Sequence, residues 1–157
     1  MIEGQVSVVS NTWFSANDPV AIPFRLSAVA IVDQLGICHG SAAGGNFDVG
    51  VYDAAWTRLV STGSTLATGN NLWQFVNVTD TALNANVLYY LVGARDNVTA
   101  NRQRSYGISG TVGGCVLCGM QDSATDAFPL PNPLTNMAAA ATVAVAPLMA
   151  VAFRAPF

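Results

Sequence analysis

The residues able to do chemistry in this chain are few, and their spacing sets what they can do. One histidine, His39, directly follows Cys38. Adjacent residues on a strand point to opposite faces, so Cys38 and His39 cannot act as a nucleophile and its base within that strand. Cys115 and Cys118 have the spacing of half a zinc site, which Cys38 and His39 would have to complete. The second paired motif is missing, so the expectation is three small buried hydrophobes and no metal. Asp48 and Asp53 flank one strand-like segment and form no recognisable acid–base pair. They are expected as solvated strand ends or turn caps. Gly44-Gly45 and Gly113-Gly114 open no helix, so they are turns rather than phosphate cradles. The Asn77-Val78-Thr79 and Asn97-Val98-Thr99 triplets match a glycosylation acceptor but have no secretion signal beside them. Of Trp13, Trp56 and Trp73, the last is expected in the core. Trp56 falls in a turn and is the stronger candidate for a contact.

The elements that would carry these residues are short strands. Strands are expected at 5–10, 20–33, 47–52, 58–61, 72–78, 87–94, 105–108 and 115–120, separated by turn residues. In 47–52, Phe47, Val49 and Val51 share the inward parity. The 87–94 run is apolar on both parities, as in a central strand. Pro23 puts the early part of 20–33 at a sheet edge or bend. The segment 128–134 holds three prolines and is expected as an extended connection over the surface. An apolar C-terminal strand is expected at 143–153. The reading is one domain over 1–157, all-β, a two-sheet β-sandwich of jelly-roll-like type.

Composition narrows the function classes. The chain has 157 residues, enough to bury a real core without disulfides or metals. Apolar residues make up 52% and charged residues 10%. A free monomer normally carries more surface charge than that, so part of the outside is expected to be covered by other subunits. The six basic residues are all arginine, and only Arg102 and Arg104 lie close together, which argues against nucleic acid. The apolar run from 137 to 153 is Ala-rich and broken by Pro147, short of the roughly 20 strongly apolar residues of a membrane helix. The opening residues show neither the basic region nor the apolar run of a signal peptide, and three cysteines are an odd count for a disulfide framework.

The stretch from Gly45 to Asn97 also carries a resemblance. The Asp48–Asp53 strand (DVGVYD) is followed by Arg58-Leu59-Val60-Ser61-Thr62-Gly63-Ser64-Thr65, then by Thr79 to Leu83, then by Tyr89-Tyr90-Leu91 to Asp96. This order and spacing resembles a group of tailed-bacteriophage virion structural proteins, as do Asp126 to Pro131 and the Ala-rich end. Trp56 departs from it, standing where the group usually has a turn glycine. The resemblance implies a capsid decoration or cement protein that bridges neighbouring capsid subunits in the virion, assembled in the bacterial host cytoplasm. The alternative is a tail-fibre or receptor-binding module that recognises a surface carbohydrate. The expected partners are the major capsid protein or another virion protein and further copies of the chain, as a homotrimer. No cofactor, nucleic acid, membrane or catalytic role is expected. The expected interface residues are Trp56, Leu148, Met149, Phe153, Arg154 and Phe157. The apolar tail is expected either to close the domain's own sheet or to dock on a partner.

Overall fold

The computed structural model describes residues 6–98, 100–106, 120–121, 127–135, 137, 141–142 and 145–155. Among them every regular element of more than one residue is a β-strand. The strands are β1 (Val6–Thr12), β2 (Val20–Phe24), β3 (Ala30–Cys38), β4 (Asn46–Asp53), β5 (Arg58–Ser61), β6 (Thr65–Leu66) and β7 (Trp73–Leu83). There follow β8 (Tyr89–Arg95), β9 (Ala100–Tyr106), β10 (Met120–Gln121), β11 (Ala141–Thr142), β12 (Val145–Pro147) and β13 (Met149–Arg154). All described pairings are antiparallel.

A long sheet runs β11-β10-β2-β8-β4-β5, with β6 beside β4, and a small sheet runs β13-β3-β7. These two face each other as a sandwich. A third group, β1-β9-β12, adjoins them. The described pairings do not spell out the two four-stranded sheets of a jelly roll.

Period-two alternation explains the core. Val20 of β2, Phe47, Val49 and Val51 of β4 and Tyr89 and Leu91 of β8 meet Val32, Leu35 and Ile37 of β3 between the two sheets. Val76 and Val78 of β7 and Met149 and Val151 of β13 complete the small-sheet side. The opposite parity of the long sheet is buried too. Ala21, Tyr52, Val92 and Ala94 pack with Ala127, Leu130, Leu134 and Met137. That second core is why 87–94 reads as apolar on both faces.

The cover for this outer face is the proline segment, and here the expectation of a surface connection is corrected. Residues 128–134 run across the long sheet with Leu130 and Leu134 buried. The Phe128–Pro129 and Asn132–Pro133 bonds are cis. Proline costs nothing here, because the strap is held through other groups. The Leu130 N–H donates to Asp48 Oδ2 (3.0 Å), the Tyr52 hydroxyl to Pro131 O (2.6 Å) and the Arg58 N–H to Asn132 Oδ1 (2.9 Å). The Arg58 guanidinium donates to Leu130 O, and the Leu134 N–H to Trp56 O (2.9 Å).

Two expected strands are each split. The 20–33 segment becomes β2 in the long sheet and β3 in the small one, with 25–29 crossing between them. Pro23 lies beyond Val20 and Ala21, the two residues that β10 pairs, so no ladder bond is lost on that side. Asp33 falls at a register shift in the β3–β7 ladder. The 143–153 run divides at Leu148 into β12, which pairs with β9, and β13, which pairs with β3. Pro147 ends the first piece, and the Cys38 N–H holds Leu148 O at the corner (2.9 Å). The tail therefore closes the small sheet as an edge strand, not as a central one. Residues 143–144 lie outside the described residues, as do 115–119 and 107–108 of the two other expected strands.

If the strap is the lid of a second core, Leu130→Ala should lower unfolding stability by about 2–4 kcal/mol, the usual range for a buried leucine. Urea denaturation measures this. A loss below about 1 kcal/mol would show that the strap merely lies on the surface.

Candidate functional site

Three places gather polar or aromatic groups. The first is inside the sandwich, at the end of β8. The Arg95 side chain and the His39 ring are both fully buried. Arg95 takes the parity of Tyr89 and Leu91, so its strand position alone sends it inward. Arg95 Nη2 donates to His39 Nδ1 (3.1 Å). With Nδ1 accepting, the ring carries its proton on Nε2, which donates to Gln74 Oε1 (2.7 Å). Gln74 also takes the Thr68 N–H (2.8 Å) and donates to Leu66 O (3.0 Å). The His39 ring meets Phe47 edge-on, with centroids 5.5 Å apart.

Burial lowers the Arg95 pKa to about 10, with nearby Asp96 opposing, so the group is still charged at neutral pH. Its Nε and Nη1 have no hydrogen-bond partner among the described residues. Burial also lowers the His39 pKa. The Gln74 hydrogen bond opposes this, and the Arg95 charge adds to it. The result is a neutral imidazole wedged between a cation and an amide. It links the Arg95 guanidinium to the Gln74 amide. Cys38 takes the other side of β3, paired across to Trp73, and its thiol donates to the His39 carbonyl oxygen (3.8 Å). Cys115 and Cys118 lie outside the described residues. Among the described residues no three His, Cys, Asp or Glu side chains gather as a metal site.

The second place lies under the strap. Asp48, expected as a solvated strand end, is fully buried, because its parity on β4 faces Leu130 rather than water. Its carboxylate takes the Leu130 N–H and the Thr62 hydroxyl (3.2 Å). Burial raises its pKa, while those hydrogen bonds and the Arg58 charge pull the other way. Burial likewise pushes the Tyr52 phenol above its ordinary value. Asp53 is the expected turn cap: its Oδ1 takes the N–H groups of Ala55 and Thr57, both at 2.9 Å. Asp48 and Tyr52 thus anchor the strap, and Asp53 holds the turn beside it.

The third place is the outside of the small sheet, at β13, β3 and β7. Four of the expected interface residues lie on or beside β13, but they do not share this outer face. Leu148 turns the corner, and Met149 packs inward with its sulfur over Gly93. Phe153 is 40% exposed, with its ring 6.4 Å from that of Phe24. Arg154 pairs with Asp80 and lies 3.9 Å from Asp33. Trp56 is not with them. It sits on the far face of the long sheet, at φ +62°, with its ring stacked 4.1 Å from that of Tyr90. This is a left-handed backbone of the kind glycine adopts most readily, here taken by a tryptophan. Phe157 lies outside the described residues.

Sequence reasoning missed Trp73. Expected in the core, it is 41% exposed and lies nearly parallel to Phe75, itself 45% exposed, with centroids 5.7 Å apart. On β7 the parity of Val76 and Val78 faces the core, so Trp73, Phe75 and Asn77 face out. Both parities are apolar at this end of the strand, which hid the choice. The inner position beside the two aromatics is a polar one, Gln74, recruited by His39.

The fold defines the chain as an antiparallel two-sheet β-sandwich with a strapped outer face. Comparison with protein-family models, curated proteins and solved structures finds no match at any of the three.

The His39 cluster makes a pH prediction. Its folded pKa lies below the ordinary 6.5, so the unfolded chain takes up the proton first. The stability it contributes is present above pH 6.5 and is lost as the pH falls through the folded value. Urea midpoints between pH 7.5 and 5 should drop for the native protein and stay flatter for His39→Gln. Equal slopes would sink this assignment.

Proposed function

We propose that this chain is a structural protein that works while covered by neighbours, as a decoration or cement protein on a phage capsid. The observation that supports the reading best is β13. Among the described strands it is an edge of the small sheet, apolar from Met149 to a 40%-exposed Phe153. An uncovered edge of this kind is a template for pairing with another chain. Its one charged residue, Arg154, is engaged by Asp80 and Asp33 instead of guarding the edge. The low charge of the whole chain and the sequence resemblance to virion proteins point the same way. In this reading a capsid subunit or a second copy adds its backbone to β13, and Phe153 fills an apolar pocket, as edge-strand addition works elsewhere. Trimers would bridge adjacent capsid subunits.

The test is Phe153→Ala, with folding and particle binding measured separately. The variant should fold, and its affinity for capsids should fall about tenfold or more, as for loss of an interface anchor. Unchanged binding overturns the proposal. So does a stable monomer in sedimentation that also fails to label purified particle heads.

A further inference from the structure

The outward face of the small sheet has an order that the assembly reading does not use. Strand register sets it out in rows. Cys38 stands opposite Trp73; Ala150, Gly36 and Phe75 form the next row; Ala152, Gln34 and Asn77 the one after. Two strands thus supply only small or amide side chains, and the third supplies two large rings. The result is a shallow floor of Ala150, Gly36 and Ala152 beside an aromatic wall.

Gly36 is required by that wall. A Cβ at this position would stand 2.7 Å from Phe75 Cδ1, so one edge of the ring lies over the glycine. The ring is drawn down across β3 instead of standing free in solvent. Beside it, Gln34 Nε2 donates to Asn77 Oδ1 (2.8 Å), which fixes both amides; among the described residues Gln34 Oε1 and Asn77 Nδ2 are left for other partners. None of these rows contains a charged residue. The nearest charges on the neighbouring strand ends, Arg154, Asp80 and Asp33, are engaged with one another.

We infer that this face is a binding site for a neutral saccharide, with Trp73 and Phe75 as the platform and Gln34 and Asn77 as the hydroxyl readers. The chemistry of the two sides matches. The negative face of an aromatic ring attracts the polarised C–H groups on the flat side of a pyranose. Fixed amides each offer a donor or an acceptor to neighbouring hydroxyls. An uncharged site suits an uncharged ligand.

Size favours a small ligand over a protein. Aromatic side chains offer about 150–250 Å² each, so rings 41% and 45% exposed present roughly 200 Å² together. A stable protein interface needs about 800 Å² per partner.

The site is independent of β13-mediated assembly, and its test is separate. Saturation-transfer NMR on the full chain would use the methyl glycosides of glucose, galactose, mannose and N-acetylglucosamine, and short neutral oligomers of each. At least one should bind with a Kd in the millimolar range or tighter. Trp73→Ala and Phe75→Ala should each weaken that binding tenfold or more. Gly36→Ala, which displaces the Phe75 ring without removing it, should weaken it as well. Trp56→Ala should leave it unchanged. Circular dichroism checks that each variant is folded. No binding across the panel overturns the inference, as does binding that survives the Trp73→Ala/Phe75→Ala double variant. A double variant that changes the sedimentation of the chain with no saccharide bound at all also overturns it, because a second copy would then be the occupant.

Discussion

The long sheet is buried on both faces, and most of the molecule follows from that. One face meets the small sheet in the usual way of a sandwich. The other is covered, among the described residues, by 127–135 and Met137, laid across it as a strap. A strap cannot satisfy its own backbone as a sheet does, and three prolines leave it few donors. Its polar groups are met by side chains that have to be buried with it. Asp48 takes the Leu130 N–H, Arg58 the Leu130 carbonyl and Tyr52 the Pro131 carbonyl. Buried Asp48 and Tyr52 on β4, and half-buried Arg58 on the edge strand β5, are thus accounted for by the cover. Each is expensive to desolvate alone and acceptable once hydrogen-bonded.

The same economy governs the inner polar cluster. Arg95, at the end of β8, is carried inward by strand alternation, and among the described residues His39 and, through it, Gln74 receive it. Gln74 then sits on the inner face of β7, and its strand neighbours Trp73 and Phe75 are obliged to face out. The exposed aromatics are thereby tied to the buried cation through three hydrogen-bonded side chains. Changing the interior at His39 would be felt on the outer face, since the register of β7 on β3 is fixed by both.

Much of the strand layout was legible because alternation is a local property. Phe47, Val49 and Val51 could be placed inward from spacing alone, and Asp53 could be read as a turn cap from its neighbours. What was not legible depends on partners distant in sequence. Asp48 looks like any strand-start aspartate until Leu130 is known to lie above it. The 20–33 and 143–153 runs read as single strands, because nothing local marks where a chain leaves one sheet for another. Only Pro23 and Pro147 hinted at the breaks. Trp73 was misplaced because both parities of its segment are apolar, and hydrophobicity cannot then say which side is inside. Trp56 drew notice for its place in a turn. Its left-handed backbone and its stacking on Tyr90 tie that place to the strap, whose Leu134 N–H bonds its carbonyl.

The strap also imposes a schedule on the nascent chain. Asp48 and Leu130 are 82 residues apart in sequence. At a synthesis rate of about 5–20 residues per second, β4 waits several seconds for its lid. Once β8 is made, Tyr52, Val92 and Ala94 form a bare hydrophobic sheet face, and the Asp48 carboxylate has the Thr62 hydroxyl but not yet the Leu130 N–H. A sandwich of this design is exposed to mispairing at the ribosome in proportion to that delay. Crowding by sister chains on one messenger would raise the hazard, and synonymous changes that slow decoding between β8 and the strap would lengthen it.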